Sequence, residues 1–67
     1  MARIKYIDEA GEHSGTLTLG EYVHYGINDR FPIDYPTGMI WDNTDYKPFM
    51  QAVNKKYNTT CTKAWLV

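Results

Sequence analysis

The residues with the widest chemical repertoire in this sequence are one cysteine, Cys61, two histidines, His13 and His24, and eight carboxylates. Cys61 with His24 and an aspartate would supply a nucleophile and its base. A free cysteine is more often an inert, small apolar core residue. As soft metal ligands, His13, His24 and Cys61 match no metal-binding spacing. Paired carboxylates could move protons, yet 67 residues leave little room for an enclosed pocket. The reading is therefore a protein that is not an enzyme and that holds no cofactor and no metal.

What distinguishes the carboxylates is where they fall. All eight lie between Asp8 and Asp45: Asp8, Glu9, Glu12, Glu21, Asp29, Asp34, Asp42 and Asp45. Arg30 is the one basic residue in that span. Arg3, Lys5, Lys47, Lys55, Lys56 and Lys63 flank it, so a net charge of −1 conceals a middle of −7 and two ends that together carry +6. If folding brings the ends together, the molecule has an acidic and a basic side, a field that speeds encounter with a complementary partner. Glu21 fits a helix cap, and Asp42 or Asp45 a helix start, where negative charge suits the dipole. Asp8, Glu9, Glu12, Asp29 and Asp34 have no evident local task.

The acidic middle contains FPIDYPTGMIWDNTDY, residues 31–46, with four aromatic side chains and two prolines. Tyrosine and tryptophan are enriched at binding hot spots. A chain this short also needs aromatics for its core, since a domain of this size buries only about 60% of its unfolded surface. Phe31 and Trp41 read as core, and Tyr35, between Asp34 and Pro36, as the exposed contact.

The elements that must position these residues follow from pattern. Residues 2–8 alternate, with Ala2, Ile4 and Tyr6 on one face and Arg3 and Lys5 on the other. EAGEHSG reads as a turn, and Thr16-Leu17-Thr18 as a second strand closing a hairpin. Thr18 and Glu21 fit a capping box, with Leu17 and Tyr22 at the staple positions. Leu19, Tyr22 and Val23 form the apolar stripe of a short helix, and Gly26 ends it, folding Ile27 back on Tyr22. Tyr35-Pro36-Thr37-Gly38 suits a type I turn, and Met39-Ile40-Trp41 a short strand. Asp42, Asn43, Thr44 and Asp45 are acceptable caps for the next helix. Pro48 must lie in its first turn, which sets the start at Thr44 or later. Tyr46, Phe49, Met50, Val53 and Tyr57 then share one face, and Lys47, Gln51, Asn54 and Lys55 another. Asn58 ends this helix, and Thr60 to Val67 reads as the last strand. The expectation is one domain, residues 1–67, of α+β class: a small antiparallel or mixed sheet of three to four strands with two helices packed on one face.

The N-terminus, MARIKYIDEAG, lacks a signal peptide's apolar run, and no stretch approaches the roughly 18 apolar residues of a membrane span. A cytoplasmic, non-membrane protein is expected. Its leading functional reading is a small, non-catalytic protein-binding module contacting a partner with a basic surface through Asp29, Asp34, Tyr35, Asp42 and Asp45. Such carboxylates could replace phosphates in a cationic groove. By analogy alone, small phage or mobile-element inhibitors of nucleic-acid-handling defence systems (anti-CRISPR-like proteins) act this way. One alternative is a nucleic-acid-binding module using Lys47, Lys55, Lys56 and Lys63, with Tyr57 for stacking, although a pI near 6.0 is low for that role. The other is a self-associating structural subunit with an apolar face around Trp65 and Val67.

Overall fold

The computed structural model describes residues 1–34, 40–42 and 46–67, the residues 40–42 by backbone alone. Four strands, β1 (Ala2–Asp8), β2 (Gly11–Leu17), β3 (Ile40–Asp42) and β4 (Lys63–Leu66), form one sheet in the order β2-β1-β4-β3. Every pairing is antiparallel. Helices α1 (Leu19–His24) and α2 (Lys47–Tyr57) complete an α+β fold, with a 3-10 turn at Ile27–Asp29.

The alternation of β1 decides which face is covered. Ala2, Ile4 and Tyr6 are buried with Leu17, Ala64 and Leu66, against Tyr22 of α1 and Phe49, Met50, Ala52 and Val53 of α2. Arg3, Lys5 and Ile7 point the other way, and no helix covers them. Both helices thus pack on one side of the sheet.

β2 is longer than the sequence pattern suggests. It occupies Gly11–Leu17, and the turn shrinks to Glu9 and Ala10. The strand was hidden because its covered face carries Gly11, His13 and Gly15, which give no apolar alternation before Leu17. β4 is shorter than expected at Lys63–Leu66, and β3 is shifted by one residue to Ile40–Asp42.

Helix α1 has its expected capping box. The Glu21 amide donates to Thr18 Oγ1 at 3.2 Å, and the Thr18 amide to Glu21 Oε1 at 2.8 Å. Gly26 is left-handed at φ 76°, and Ile27 is buried. The expected stripe is not the buried face, however. Tyr22 is buried, whereas Leu19 and Val23 are 52% and 61% exposed. A helix of six residues has room for one inward-facing side chain per turn, and Tyr22 takes it.

Helix α2 starts after Tyr46, with Pro48 in its first turn, and ends at left-handed Asn58. Tyr46 makes no side-chain cap bond. The cap candidates Asn43, Thr44 and Asp45 and the Tyr35–Gly38 turn lie outside the described residues, and Asp42 belongs to β3.

The end of α2 closes part of a sheet edge. Arg3 and Ile7 carbonyls accept from Val67 and Thr62, so those β1 residues turn their backbone groups toward β4. Ala2, Ile4, Tyr6 and Asp8 therefore bond β2, which leaves Glu12, Ser14 and Thr16 facing outward. At Thr16 the Tyr57 hydroxyl stands in for a neighbouring strand: it accepts from the amide at 2.7 Å and donates to the carbonyl at 3.2 Å. Lys56 Nζ also donates to that carbonyl. Gly15 makes this approach feasible, because a Cβ there would lie 2.5 Å from the Tyr57 hydroxyl oxygen. Gly15→Ala is expected to push the phenol off Thr16 and to lower stability by about 1–3 kcal/mol, measured by urea unfolding.

One polar atom is out of place in the core. The Tyr22 hydroxyl is buried with no hydrogen-bond partner among the described residues, and burial pushes its pKa up to about 12. Tyr22→Phe removes an unsatisfied group and leaves the ring in place, so it is expected to raise stability by about 1 kcal/mol. The urea midpoint would rise with an unchanged m value.

Candidate functional site

The structure separates carboxylates bound up in the fold from those that are not. Asp8 accepts three bonds: from Thr59 Oγ1 at 2.6 Å, from His13 Nε2 at 2.8 Å and from the Ala10 amide at 2.9 Å. Glu12 pairs with Lys5 at 3.3 Å. Glu21 closes the α1 cap and pairs with Lys56 at 3.0 Å. Asp8 and Glu12 thus have local tasks that sequence reasoning did not assign, because both depend on partners met only through the sheet or the α2–β4 connection.

Of the carboxylates with described side chains Glu9, Asp29 and Asp34 remain, the last two in the acidic segment after α1. Asp29 ends the 3-10 turn, and both are exposed. Among the described residues neither has an ion pair. Asp34 lines a shallow recess of about 280 Å³ with Met1, Ala2, Arg3, Ile33, Leu66 and Val67. Tyr35 and Asp45 lie outside the described residues. Asp42 is placed by its backbone alone, opposite Lys63. Glu9 is exposed at the β1–β2 turn, at the far end of the sheet from the recess. Phe31 is half-buried rather than core, edge-on to Tyr46, with the Arg30 guanidinium 5.2 Å from its ring centroid.

The four lysines of the nucleic-acid alternative do not share one surface. Lys47 and Lys55 are exposed at opposite ends of α2, and Lys56 is turned to Glu21 and Thr16. Lys63 belongs to the uncovered sheet face with Arg3, Lys5 and half-buried Trp65. Tyr57 is committed to the fold, stacked on Tyr6 at 5.2 Å and bonded to Thr16.

The candidates for bond-making chemistry are placed apart. Cys61 is buried, and burial, reinforced by Asp8, raises its thiol pKa, which disfavours the thiolate. Its amide donates to Asn54 Oδ1 at 2.8 Å, a bond that ties the segment before β4 to α2. His24 is exposed on α1, edge-on to Tyr25 at 4.9 Å. His13 stacks on Tyr6 at 5.1 Å. Among the described residues no group of three His, Cys, Asp or Glu side chains is arranged to hold a metal ion. No helix among them is long and apolar enough to cross a membrane. No family model, curated protein or solved structure matches this chain.

The Asp8 cluster has a testable consequence. The Thr59 hydroxyl, followed by the His13 and Ala10 bonds, lowers the Asp8 pKa despite partial desolvation. A carboxyl whose folded pKa is depressed contributes stability above its unfolded value, and that contribution fades as pH falls through the folded one. Wild type is therefore expected to exceed Asp8→Asn in stability at neutral pH. The gap should narrow on acidification below the ordinary carboxyl range. Urea unfolding of both chains across that range measures it.

Proposed function

We propose that this chain is a small, non-catalytic protein-binding module that docks a basic surface of its partner through the acidic segment after α1. The observation that carries the reading is the sorting of the carboxylates. Asp8, Glu12 and Glu21 are bound up in the fold, whereas Asp29 and Asp34 are exposed and have no ion pair among the described residues. Exposed carboxylates that perform no local task are available to a cation on another molecule, and they raise the encounter rate with a basic surface. The reading extends to Tyr35, Asp42 and Asp45, which follow in the chain.

A basic groove that ordinarily holds nucleic acid is the partner such a surface suits, since carboxylates can occupy phosphate positions. The module would then act as an inhibitor by occupancy, with no chemistry of its own. Its place would be the cytoplasm, where Cys61 stays a free thiol.

The test is capture of partners from the cells that make the protein, across a salt series, followed by binding measurements on the captured protein. The expected partner is basic and is released as salt rises. Asp29→Asn with Asp34→Asn is expected to weaken binding about tenfold, or about 1.4 kcal/mol, and to flatten its salt dependence. Lys47→Gln with Lys55→Gln should leave binding unchanged. Unaltered affinity and salt slope in the double aspartate variant would remove this surface from the contact.

A further inference from the structure

The sheet face that no helix covers has a composition of its own. Register places its side chains in rows: Thr16, Arg3 and Val67 in one, Ser14, Lys5 and Trp65 in the next, and Glu12, Ile7 and Lys63 in the third. β3 continues the second and third rows with Ile40 and Asp42, so three cations and two carboxylates share the face, and Glu12 is matched to Lys5. Arg3 and Lys63 are exposed and have no ion pair among the described residues. Lys63 stands opposite Asp42 in the register, whereas Arg3 has no carboxylate in its row and shares only a recess with unpaired Asp34, so Arg3 is the least compensated cation of the face. Trp65 lies beside Lys5 and stays partly exposed. Next to Arg3 a recess of about 480 Å³ opens among Ile4, Ser14, Gly15, Thr16 and Val67.

We propose that this face docks single-stranded nucleic acid, with Trp65 as the stacking platform and Arg3, Lys5 and Lys63 as phosphate contacts. The occupant is fixed by charge and by the aromatic together. Arg3, Lys5 and Lys63 lie in successive rows of the face, which repeat at about 7 Å along the strands, a spacing that suits a flexible polyanion laid along β1 and β4. An indole among them gives a base a surface on which to stack, the combination that single-strand binders use. An acidic protein would satisfy the cations but has less use for an open indole beside them. A duplex fits a flat sheet face poorly. This site uses neither Asp29 nor Asp34, and it differs from a lysine site on α2.

The test is fluorescence anisotropy of labelled oligo(dT) and oligo(U) titrated with the full chain from low to moderate salt. Binding is expected at low salt, with quenching of tryptophan fluorescence and a log–log salt slope of about −2, for three phosphate contacts at about 0.7 each. Arg3→Gln with Lys63→Gln should flatten that slope. Trp65→Leu should weaken binding at least about fivefold, and Trp65→Phe should keep most of it. Lys47→Gln with Lys55→Gln should bind as wild type. Circular dichroism of each variant confirms that the fold persists. Absence of binding at low salt overturns the proposal, as does binding lost through the α2 lysines alone. Displacement by polyglutamate as readily as by unlabelled oligonucleotide would assign the face to acidic proteins instead.

Discussion

The position of β1 between β2 and β4 is the constraint on which the rest of this molecule depends. One strand bonds the hairpin partner on one side and the last strand on the other, with Ile4 opposite both Gly15 and Leu66. The first and last segments of the chain therefore meet before any loop matters. Ala2, Ile4 and Tyr6 must all point to one side, so the core has one side, and both helices are confined to it. The opposite face, with Arg3 and Lys5, stays open as a direct result. A strand with apolar residues on alternate positions cannot bury both faces.

Three polar ties hold the covered side together, two of them across a long stretch of chain and one across seven residues. Tyr57 bonds Thr16 across 41 residues, Thr59 bonds Asp8 across 51, and Asn54 holds the backbone of Cys61. They converge on the end of α2 and the segment after it. The stacked rings of His13, Tyr6 and Tyr57 lie between the first two ties. The effect is to seat the C-terminal turn of α2 over the hairpin and to stopper the Thr16 end of the β2 edge. An edge left wholly open would invite pairing with another chain. Here a phenol and an ammonium cover one of its three outward residues.

How much of this could be read in the sequence differed with the kind of signal. The alternation of β1, the Thr18–Glu21 cap, the Gly26 stop and the Pro48 constraint on α2 each rest on local stereochemistry, and each matches the structure. β2 was read too short, as Thr16 to Thr18 alone, because an edge strand with glycines on its covered face has no hydrophobic period to detect. The burial of Leu19 and Val23 was overstated because a six-residue helix shows the core too little of its circumference. The carboxylates were the hardest to sort. Whether Asp8 is bound or free depends on Thr59, and nothing in the sequence near either residue announces that contact. The open cationic face was equally hidden, since Arg3, Lys5 and Lys63 come to share one face only through the pairing of β1 with β4.

The charge segregation of the sequence does not become a simple dipole in space. The cations of the two ends divide between the open face and the helix α2, on opposite sides of the sheet, and three of the middle carboxylates are absorbed by caps and pairs. What persists is more local. Asp34 and Arg3 line one recess at the start of β1, yet they form no ion pair. The free carboxylate of the acidic segment and the least compensated cation of the open face are thus neighbours without being partners. A pair bound to each other would be worth little at a surface and would silence both. Left apart, each keeps its charge available to a different class of molecule. A polyanion on Arg3 would strengthen the negative field beside Asp34, and a basic surface on Asp34 would favour a polyanion on Arg3. If both surfaces bind as proposed, they would be coupled through charge, and by linkage the coupling would act equally in both directions.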